Sequence, residues 1–563
     1  MPLGSTINSL MMIVGNINTD KPTKQVIKNR KKDKPATFPR GEEVNFLPRS
    51  RPSKHGYSEE YINSFFHELE SDLSIRANRC LIVKDNYVIG EKYEYPYVKD
   101  AWDHIFSATK TVTTLALGLL YDEGKIDLDA PVYKILKIKP GNAANKKITL
   151  RHLLTMTTGV LFNEVESAAT TKWVKGFFGS GAKFKVGKKF DYNSLNTYII
   201  SVVVEKIAGI SFEEFIKERI FKPLDMNSCH LDKSPEGYFK GGWGLYILPE
   251  DMAKLGILVK DKGVYNNKRI ISEKWIEMMS SKQIEATKYG RRFDYGFQMW
   301  VCDEHHFCMF NGLYNQDIII FKETGVVLVV ASSNGEAFHG SNYFDIAIKY
   351  FASKEKTTEL CETKGSRDIA NLSHLNYYYD KIANQEYLPL GKIANSCGVL
   401  PLLIQNEVGT YAQGIKSLYF KKENDQYALV INEGKESYEL PFNFENGVRN
   451  IYNFYGNLFD CVCDGRFMLT AKGLPLFVFR MFFLEYSSSR YITVKFDKRF
   501  DLLSLELSEY PGFDFVASLM DEQDEPVKNL LNSAMKAINP AILKGKIKDI
   551  FAPNFMIKKK EEK

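Results

Sequence analysis

Apolar residues recur with helical spacing in one stretch that also carries reactive side chains. Leu115, Leu119 and Leu120 stand three to five residues apart, and Gly124 is a natural helix stop. This pattern predicts an apolar helix that has Ser107 in its first turn.

The pattern changes along the chain in a way that predicts two kinds of folded unit. Residues 58–73 have helical spacing, and residues 80–92 indicate two strands around an Asp-Asn turn. A mainly helical part should follow, with a return to strands near Tyr295. From 391 to 510, short alternating runs are separated by Asn-Asp, Asn-Gly and Asp-Gly turn signals, which predicts an all-β sandwich or barrel.

These patterns divide the chain into five segments. We expect a flexible basic tail over 1–50, an α+β domain over 51–353, a charged linker over 354–390, an all-β domain over 391–523 and a helical and disordered tail over 524–563.

Composition and charge exclude several classes of protein. The 563 residues are 44% apolar, so the chain can bury large cores, and the net charge is only +6. Basic residues concentrate between Lys21 and Arg40, which we interpret as a mobile tail; the alternative is an anchor on a membrane surface. No nucleic-acid partner is predicted, because the rest of the chain is near neutral. The apolar patch at 10–14 has no basic residues before it and no cleavage pattern after it, so no signal peptide is predicted. No membrane span is predicted either, because the run from Leu474 to Phe483 is broken by Arg480. We expect a soluble cytoplasmic protein.

The eight cysteines lack the spacing of a disulfide framework, so reduced thiols are expected. The segment from Cys302 to Cys308 contains four possible zinc ligands between two strand-like runs. A hairpin turn explains it better than a metal site, because adjacent residues on a strand point to opposite faces. No metal or organic cofactor is predicted.

Ser107 and Lys110 carry the first chemical hypothesis. Residues three apart on a helix share a face, so the hydroxyl and the amine would point into the same space. The helix N-terminus and burial of the amine would both favour an activated serine. The alternative is a serine helix cap beside a solvated lysine.

Three segments in a fixed order along the chain support the catalytic interpretation. The segments Ser107-Ala108-Thr109-Lys110, 122–132 and 148–159 resemble the serine β-lactamase-like superfamily, in its branch of class C β-lactamase relatives, family VIII esterases and 6-aminohexanoate-dimer hydrolase. The resemblance runs from about Arg51 to Asn334. It implies a β-lactamase-like fold, with a central antiparallel sheet flanked by helices and a mainly helical subdomain.

The resemblance also implies site residues beyond the first motif. Tyr192 matches a family tyrosine that faces the serine and lysine, and a phenol becomes a usable base only beside a cation such as Lys110. Ser194 matches the third position of the same motif in a less common form.

After the Ser107–Lys110 and Tyr192–Ser194 motifs, the third motif that carries chemistry departs from the family. Where relatives have Lys-Thr-Gly or His-x-Gly, this chain has Phe310-Asn311-Gly312, so the strand is kept and the cation is absent. Together with Ser194 these residues are expected to line the substrate pocket. By resemblance, the backbone N–H groups of Ser107 and Leu313 would form the oxyanion hole.

The sequence therefore predicts a serine hydrolase that acts through an acyl-enzyme on a short-chain ester or amide. Ser107 would be the nucleophile, and Lys110 with Tyr192 would transfer the proton. The alternatives are a peptidase or β-lactamase like the penicillin-binding proteins, and a non-catalytic binding protein on the same scaffold.

Overall fold

The computed structural model describes residues 45–168, 170–335, 339–361, 375–391, 397–410, 412–512 and 552–561. These fall into two compact units, one before and one after residue 363. The basic tail predicted over 1–50 lies mostly outside the described residues, but its last residues belong to the first unit. Leu47 is buried, and its N–H donates to the Glu250 carboxylate at 2.5 Å. This burial corrects the predicted boundary.

The first unit mixes strands and helices, as predicted. Its strands are β1 (Ala77–Lys84), β2 (Tyr87–Tyr93), β3 (Asp103–His104), β4 (Cys229–Leu231), β5 (Leu245–Ile247), β6 (Val264–Tyr265), β7 (Lys268–Arg269), β8 (Asp294–Tyr295), β9 (Trp300–Cys302), β10 (Phe307–Gly312), β11 (Gln316–Phe321) and β12 (Val326–Ser332). Its helices are α1 (Glu59–Ser71), α2 (Thr109–Asp122), α3 (Val132–Leu136), α4 (Leu150–Leu154), α5 (Glu164–Ala168), α6 (Trp173–Gly179), α7 (Leu195–Ala208), α8 (Phe212–Ile216), α9 (Pro249–Lys260), α10 (Glu273–Ser280) and α11 (Tyr343–Phe351).

A seven-stranded antiparallel sheet organises the described part of this unit, in the order β2-β1-β12-β11-β10-β9-β8. Every residue of β12 is buried, and its side chains alternate between two hydrophobic clusters. Val327 and Val329 belong to one cluster, whereas Leu328 and Val330 belong to the other. Both faces of the sheet are therefore covered, which explains the continuous apolar run in the sequence.

Helix α2 is the central helix of the unit and is buried on more than its leucine face. All residues from Thr109 to Leu120 are buried. The threonine hydroxyls are hydrogen-bonded, mostly to segments distant in sequence: Thr113 donates to the Gly241 carbonyl at 2.8 Å, and Thr111 donates to the Gln298 carbonyl at 2.6 Å. Burial of this polar face places Lys110 inside the protein, where a charged amine is disfavoured.

The hairpin predicted around Cys302 is confirmed. Strands β9 and β10 pair with Cys302 opposite Phe307, and the acidic and histidine residues occupy the turn between them. Within the described ranges, no group of three or more His, Cys, Asp or Glu side chains is arranged to hold a metal ion.

The second unit is all-β apart from two helices in its described part, α12 (Asn376–Ile382) and α13 (Leu402–Val408). Its strands are β13 (Gln385–Pro389), β14 (Ile415–Glu423), β15 (Gln426–Glu433), β16 (Glu436–Phe442), β17 (Val448–Phe454), β18 (Asn457–Leu469), β19 (Pro475–Phe483), β20 (Ser488–Lys495), β21 (Leu502–Tyr510) and β22 (Asn554–Lys559). They form one antiparallel sheet in the order β16-β15-β14-β13-β22-β21-β20-β19-β18-β17. A bridge between Asn443 and Asp464 brings the two ends together, so the sheet is a nearly closed barrel. The all-β prediction is confirmed.

Two predicted segments are corrected in this unit. The charged linker expected over 354–390 contains α12 and β13, and Tyr379 and Tyr387 are fully buried. The tail expected over 524–563 contains β22, which lies between β13 and β21 with Ile557 buried. In both segments, charged residues beside the buried apolar ones made the hydrophobic pattern too weak to predict these elements. The helix predicted from Glu525 to Pro540 lies outside the described residues.

Candidate active site

Ser107 lies in a single 3₁₀ turn, Phe106–Ala108, which leads directly into α2 at Thr109. The sequence predicted Ser107 in the first turn of the helix, and the structure places it just before that turn. Phe106 has a φ of 43°, a left-handed conformation that is costly for a residue with a side chain. Backbone strain of this kind immediately before Ser107 is typical of a functional turn.

The amine of Lys110 contacts the hydroxyl of Ser107. Its Nζ lies 2.8 Å from Ser107 Oγ and donates a second hydrogen bond to the Gly242 carbonyl, also at 2.8 Å. The residue is only 1% exposed, and burial lowers the pKa of Lys110 to about 7, although the charge of Glu164 acts in the opposite direction. A large fraction of these amines is therefore neutral near pH 7 and able to accept a proton.

Tyr192 completes a cluster of three reactive side chains. It stands just before α7, and its hydroxyl is hydrogen-bonded to Ser107. Lys110 Nζ lies 4.8 Å from the centre of the tyrosine ring, and the Trp300 ring stacks on it at 5.8 Å. Burial raises the pKa of Tyr192, so the phenol stays protonated at neutral pH. In this state it can donate or relay a proton, but it is a poor first base.

The turn after β10 brings Leu313 beside Ser107. A Cβ atom on Gly312 would lie 2.2 Å from the Ile105 carbonyl oxygen, so these two backbone segments are in close contact. The ring of Tyr314 packs edge-on against Phe106, with 5.3 Å between centroids. Leu313 stands between Gly312 and Tyr314, and its backbone therefore lies next to the turn that carries Ser107.

The predicted pocket residues occupy different environments. Phe310 is fully buried in the hydrophobic cluster that includes Ala108 and Val112, so its side chain does not line an open cleft. Strand alternation explains this: Phe310 points to the α2 face of the sheet, whereas Asn311 points to the other. Asn311 is 9% exposed, and its amide donates to the Asp317 carboxylate at 2.6 Å.

Ser194 and Gly242 meet at the start of α7. Ser194 is 5% exposed and precedes the first residue of that helix. A Cβ atom on Gly242 would lie 2.6 Å from the Ser194 carbonyl, so only glycine fits there. The Gly242 carbonyl also accepts the hydrogen bond from the Lys110 amine at 2.8 Å, a contact that no motif in the sequence indicated.

Two charged side chains that the sequence did not indicate also act on the site. Glu164 Oε1 accepts a hydrogen bond from the backbone N–H of Ser194 at 2.6 Å, and its charge reaches both Lys110 and Tyr192. The charge of Arg291 lowers the pKa of Tyr192, against the larger effect of burial. Neither residue belongs to a motif or lies close in sequence to Ser107, so no local pattern could have revealed them.

Comparison with known proteins identifies the family and the fold of the first unit. Residues 72–347 match the family described as Beta-lactamase, and this part of the chain belongs to the β-lactamase-like superfamily, a family of serine hydrolases. Its fold is the β-lactamase-like fold predicted from the motifs.

Individual relatives are distant. The 6-aminohexanoate-dimer hydrolase of Paenarthrobacter ureafaciens is 22% identical over 290 residues, which cover 45% of this chain and 71% of that protein. Protein flp of Staphylococcus aureus strain MW2 is 29% identical over 131 residues, 22% of this chain and 26% of that protein. Among solved structures, the octameric penicillin-binding protein homologue from Pyrococcus abyssi is 18% identical with a TM-score of 0.43, over 79% of this chain and 97% of that one.

Among the residues that the structure describes, none of the helices has the length and apolar character to span a bilayer.

Proposed function

We propose that this chain is a serine hydrolase that cleaves small ester or amide substrates through an acyl-enzyme. The observation that carries the proposal is the 2.8 Å contact between Ser107 Oγ and a buried Lys110 amine whose pKa is about 7. A serine hydroxyl becomes a nucleophile when a base positioned within hydrogen-bond distance takes its proton.

The first half of the proposed reaction forms the acyl-enzyme. Ser107 Oγ attacks the substrate carbonyl carbon while its proton passes to Lys110 Nζ. The backbone N–H groups of Ser107 and Leu313 stabilise the oxyanion, which is the largest single contribution in many acyl transfers. When the tetrahedral intermediate collapses, the leaving alcohol or amine takes a proton.

Tyr192 has a different role from the one expected for a phenolate base. Because its pKa is raised by burial, we assign it the relay of a proton from Lys110 to the leaving group. A water molecule then attacks the acyl-enzyme, and Lys110, neutral again, accepts the proton of that water. When the bond between Ser107 Oγ and the acyl carbon breaks, Lys110 returns this proton to Ser107 Oγ and the carboxylic acid is released. The proton transfers of this cycle need no residue beyond the three already in contact.

A neutral acyl group suits the site better than an anionic one. At the position of the family cation, Phe310 is buried in the core, and the neighbouring Asn311 amide is held by a carboxylate. One relative is named a hydrolase of a small dimer, 6-aminohexanoate dimer, which is compatible with a small substrate here.

A fluorophosphonate probe followed by peptide mapping tests the proposal. We expect label on Ser107, no label there in Ser107→Ala, and strongly slowed labelling in Lys110→Ala. Lys254→Met is the matched control, because Lys254 is equally buried but its amine binds Asp251 instead of a serine. Absence of label on Ser107 in the folded protein would overturn the proposal and favour a non-catalytic binding protein.

A further inference from the structure

A buried carboxylate lies behind the turn that carries Leu313. Asp317 is the second residue of β11 and stands opposite Asn311 in the β10–β11 pairing. Its side chain has no exposed surface. Among the described residues no Lys, Arg or His forms an ion pair with it, so hydrogen-bond donors must stabilise its charge.

Three donors meet at this carboxylate from both sides of Leu313. The Asn311 amide donates to Oδ1 at 2.6 Å and the Asn315 amide donates to Oδ2 at 3.1 Å. The backbone N–H of Gly312 also donates to Asp317. Residues 311 and 312 precede Leu313 and residue 315 follows it, so a single side chain fixes the turn on both sides.

The turn needs such support because its backbone is strained. Tyr314 and Asn315 have φ values of 64° and 60°, in the left-handed region that side chains disfavour. Asn315 is held from a second direction as well: its Oδ1 accepts from the Asn334 amide at 2.8 Å. The Asn334 Oδ1 in turn accepts from the backbone N–H of Arg76 at 2.7 Å, which ties the turn to the start of β1.

Burial of an unpaired carboxylate is costly, and apolar residues would fill a strand interior at lower cost. The neighbouring Ile318, Ile319 and Ile320 show that this strand accepts such residues. Burial raises the pKa of Asp317 to about 7 in spite of the three donors, which agrees with this cost. The cost is explained if the carboxylate serves the geometry of the turn.

We propose that Asp317 is a positioning residue for the oxyanion hole: through Asn311, Gly312 and Asn315 it holds the Leu313 N–H at the place where the substrate oxyanion forms. This inference rests on the proposed function, since it assumes that Ser107 attacks a carbonyl. It adds a residue with no contact to the substrate and no place in the three motifs.

The main test is Asp317→Asn in the full chain, measured with p-nitrophenyl butyrate. An asparagine has the same shape but only one acceptor oxygen, so at least one of the three donors loses its partner. Because an oxyanion-hole donor acts in the transition state, we expect kcat to fall about tenfold or more, with KM within about twofold. The affinity for a boronic acid that forms a tetrahedral adduct on Ser107 should fall by a similar factor.

Asp251→Asn controls for the general loss of a buried carboxylate. Asp251 is 2% exposed and paired with Lys254, away from the turn. We expect this variant to lower the melting temperature and leave kcat within about twofold. If Asp317→Asn behaves like Asp251→Asn, with a lower melting temperature and a kcat within about twofold of the unmodified protein, the inference is overturned.

A second variant keeps the inference testable if Asp317→Asn does not fold. Asn315→Gly removes one donor, and glycine adopts the positive φ of this position without strain. It should lower kcat with little change in KM, and an unchanged kcat would overturn the inference. Ser107→Ala separates the two proposals: if it stays active the proposed function fails, whereas an inactive Ser107→Ala with a normal Asp317→Asn rejects only the role of Asp317.

Discussion

The backbone of Gly312 is packed so closely against Ile105 that a Cβ atom at position 312 would lie 2.2 Å from the Ile105 carbonyl oxygen. This contact joins the end of β10 to the residue two positions before Ser107. In the proposed site this contact holds Leu313 next to Ser107, so a side chain at position 312 would push the two residues apart.

Gly312→Ala should therefore lower kcat/KM by about 100-fold or more, because a displacement near 1 Å in a reacting geometry has a cost of that size. The matched control is Gly179→Ala, since a Cβ atom on Gly179 meets nothing within 4 Å. Ester hydrolysis and melting temperature are measured for both variants. Near-normal activity in folded Gly312→Ala would show that this contact is not required.

Lys110→Ala should lose nearly as much kcat as Ser107→Ala, because two residues that act as one unit have non-additive effects. The loss follows from the 2.8 Å contact, which no other lysine in the described residues makes with Ser107. Kinetics of the single and double variants provide the measurement. If Lys110→Ala keeps more than about a tenth of the activity, an effect below ~1.4 kcal/mol, the assignment of the base is wrong.

The extent to which sequence predicted the site depends on distance along the chain. Ser107 and Lys110 are three residues apart, so helical geometry alone brought them together. Tyr192 was found by resemblance. Glu164 and Asp317 were not found, because each acts through contacts with residues that are distant in sequence or on a neighbouring strand. The signal for Asp317 was an acidic residue at the start of the apolar run Ile318–Phe321.

The fold was predicted correctly where the hydrophobic pattern was strong, and the prediction failed near the ends of the two units. The apolar helix and the strands on either side of Asp85 were recovered with small shifts. β22 was missed because its apolar residues are few and are followed by charged ones. The exposure of Phe310 was misjudged, since a motif gives the position of a residue but not the face of the sheet to which it points.

Glu164 should control the pH dependence of the reaction. In the proposed mechanism the reaction requires neutral Lys110, so kcat/KM should rise as the pH increases through the Lys110 pKa of about 7. The negative charge of Glu164 raises that pKa, and Glu164→Gln should therefore move the acid limb of the profile to lower pH. Complete pH profiles with one ester substrate would measure the shift.

Glu166→Gln is the matched control for this prediction. Glu166 lies on the same short helix, and its carboxylate accepts the backbone N–H of Asn163 at 3.1 Å, but its charge is not among those that shift the Lys110 pKa. Its acid limb should coincide with that of the unmodified protein. An equal shift in both variants would show that the effect is not specific to Glu164.

The first unit should keep the chemistry without the second. The three reactive side chains all lie before residue 361, and Cys361 still belongs to this unit because its N–H donates to Ser64 Oγ at 2.8 Å. A chain that ends at residue 363 should label at Ser107 at a rate within about threefold of that of the full chain. A chain that ends at residue 351, by contrast, would lack the hydrogen bond between Cys361 and Ser64. A folded 1–363 chain that does not react with the probe would show that the second unit is needed.

The substrate prediction follows from the charge behind the third motif. Penicillins carry a carboxylate next to the scissile amide, and holding it requires a charge-assisted hydrogen bond of about 1.5–3 kcal/mol. Here Phe310 is buried and the Asn311 amide is bound to Asp317, whose pKa of about 7 leaves it largely ionised above neutral pH. A negative charge behind the motif would repel a substrate carboxylate.

We therefore expect kcat/KM for p-nitrophenyl butyrate to exceed that for nitrocefin on the same preparation, and the difference to widen from pH 6 to pH 8 as Asp317 ionises. A clear preference for nitrocefin would contradict this prediction, and Arg291, whose charge reaches Tyr192, would then be the first cation to test as the carboxylate-binding group.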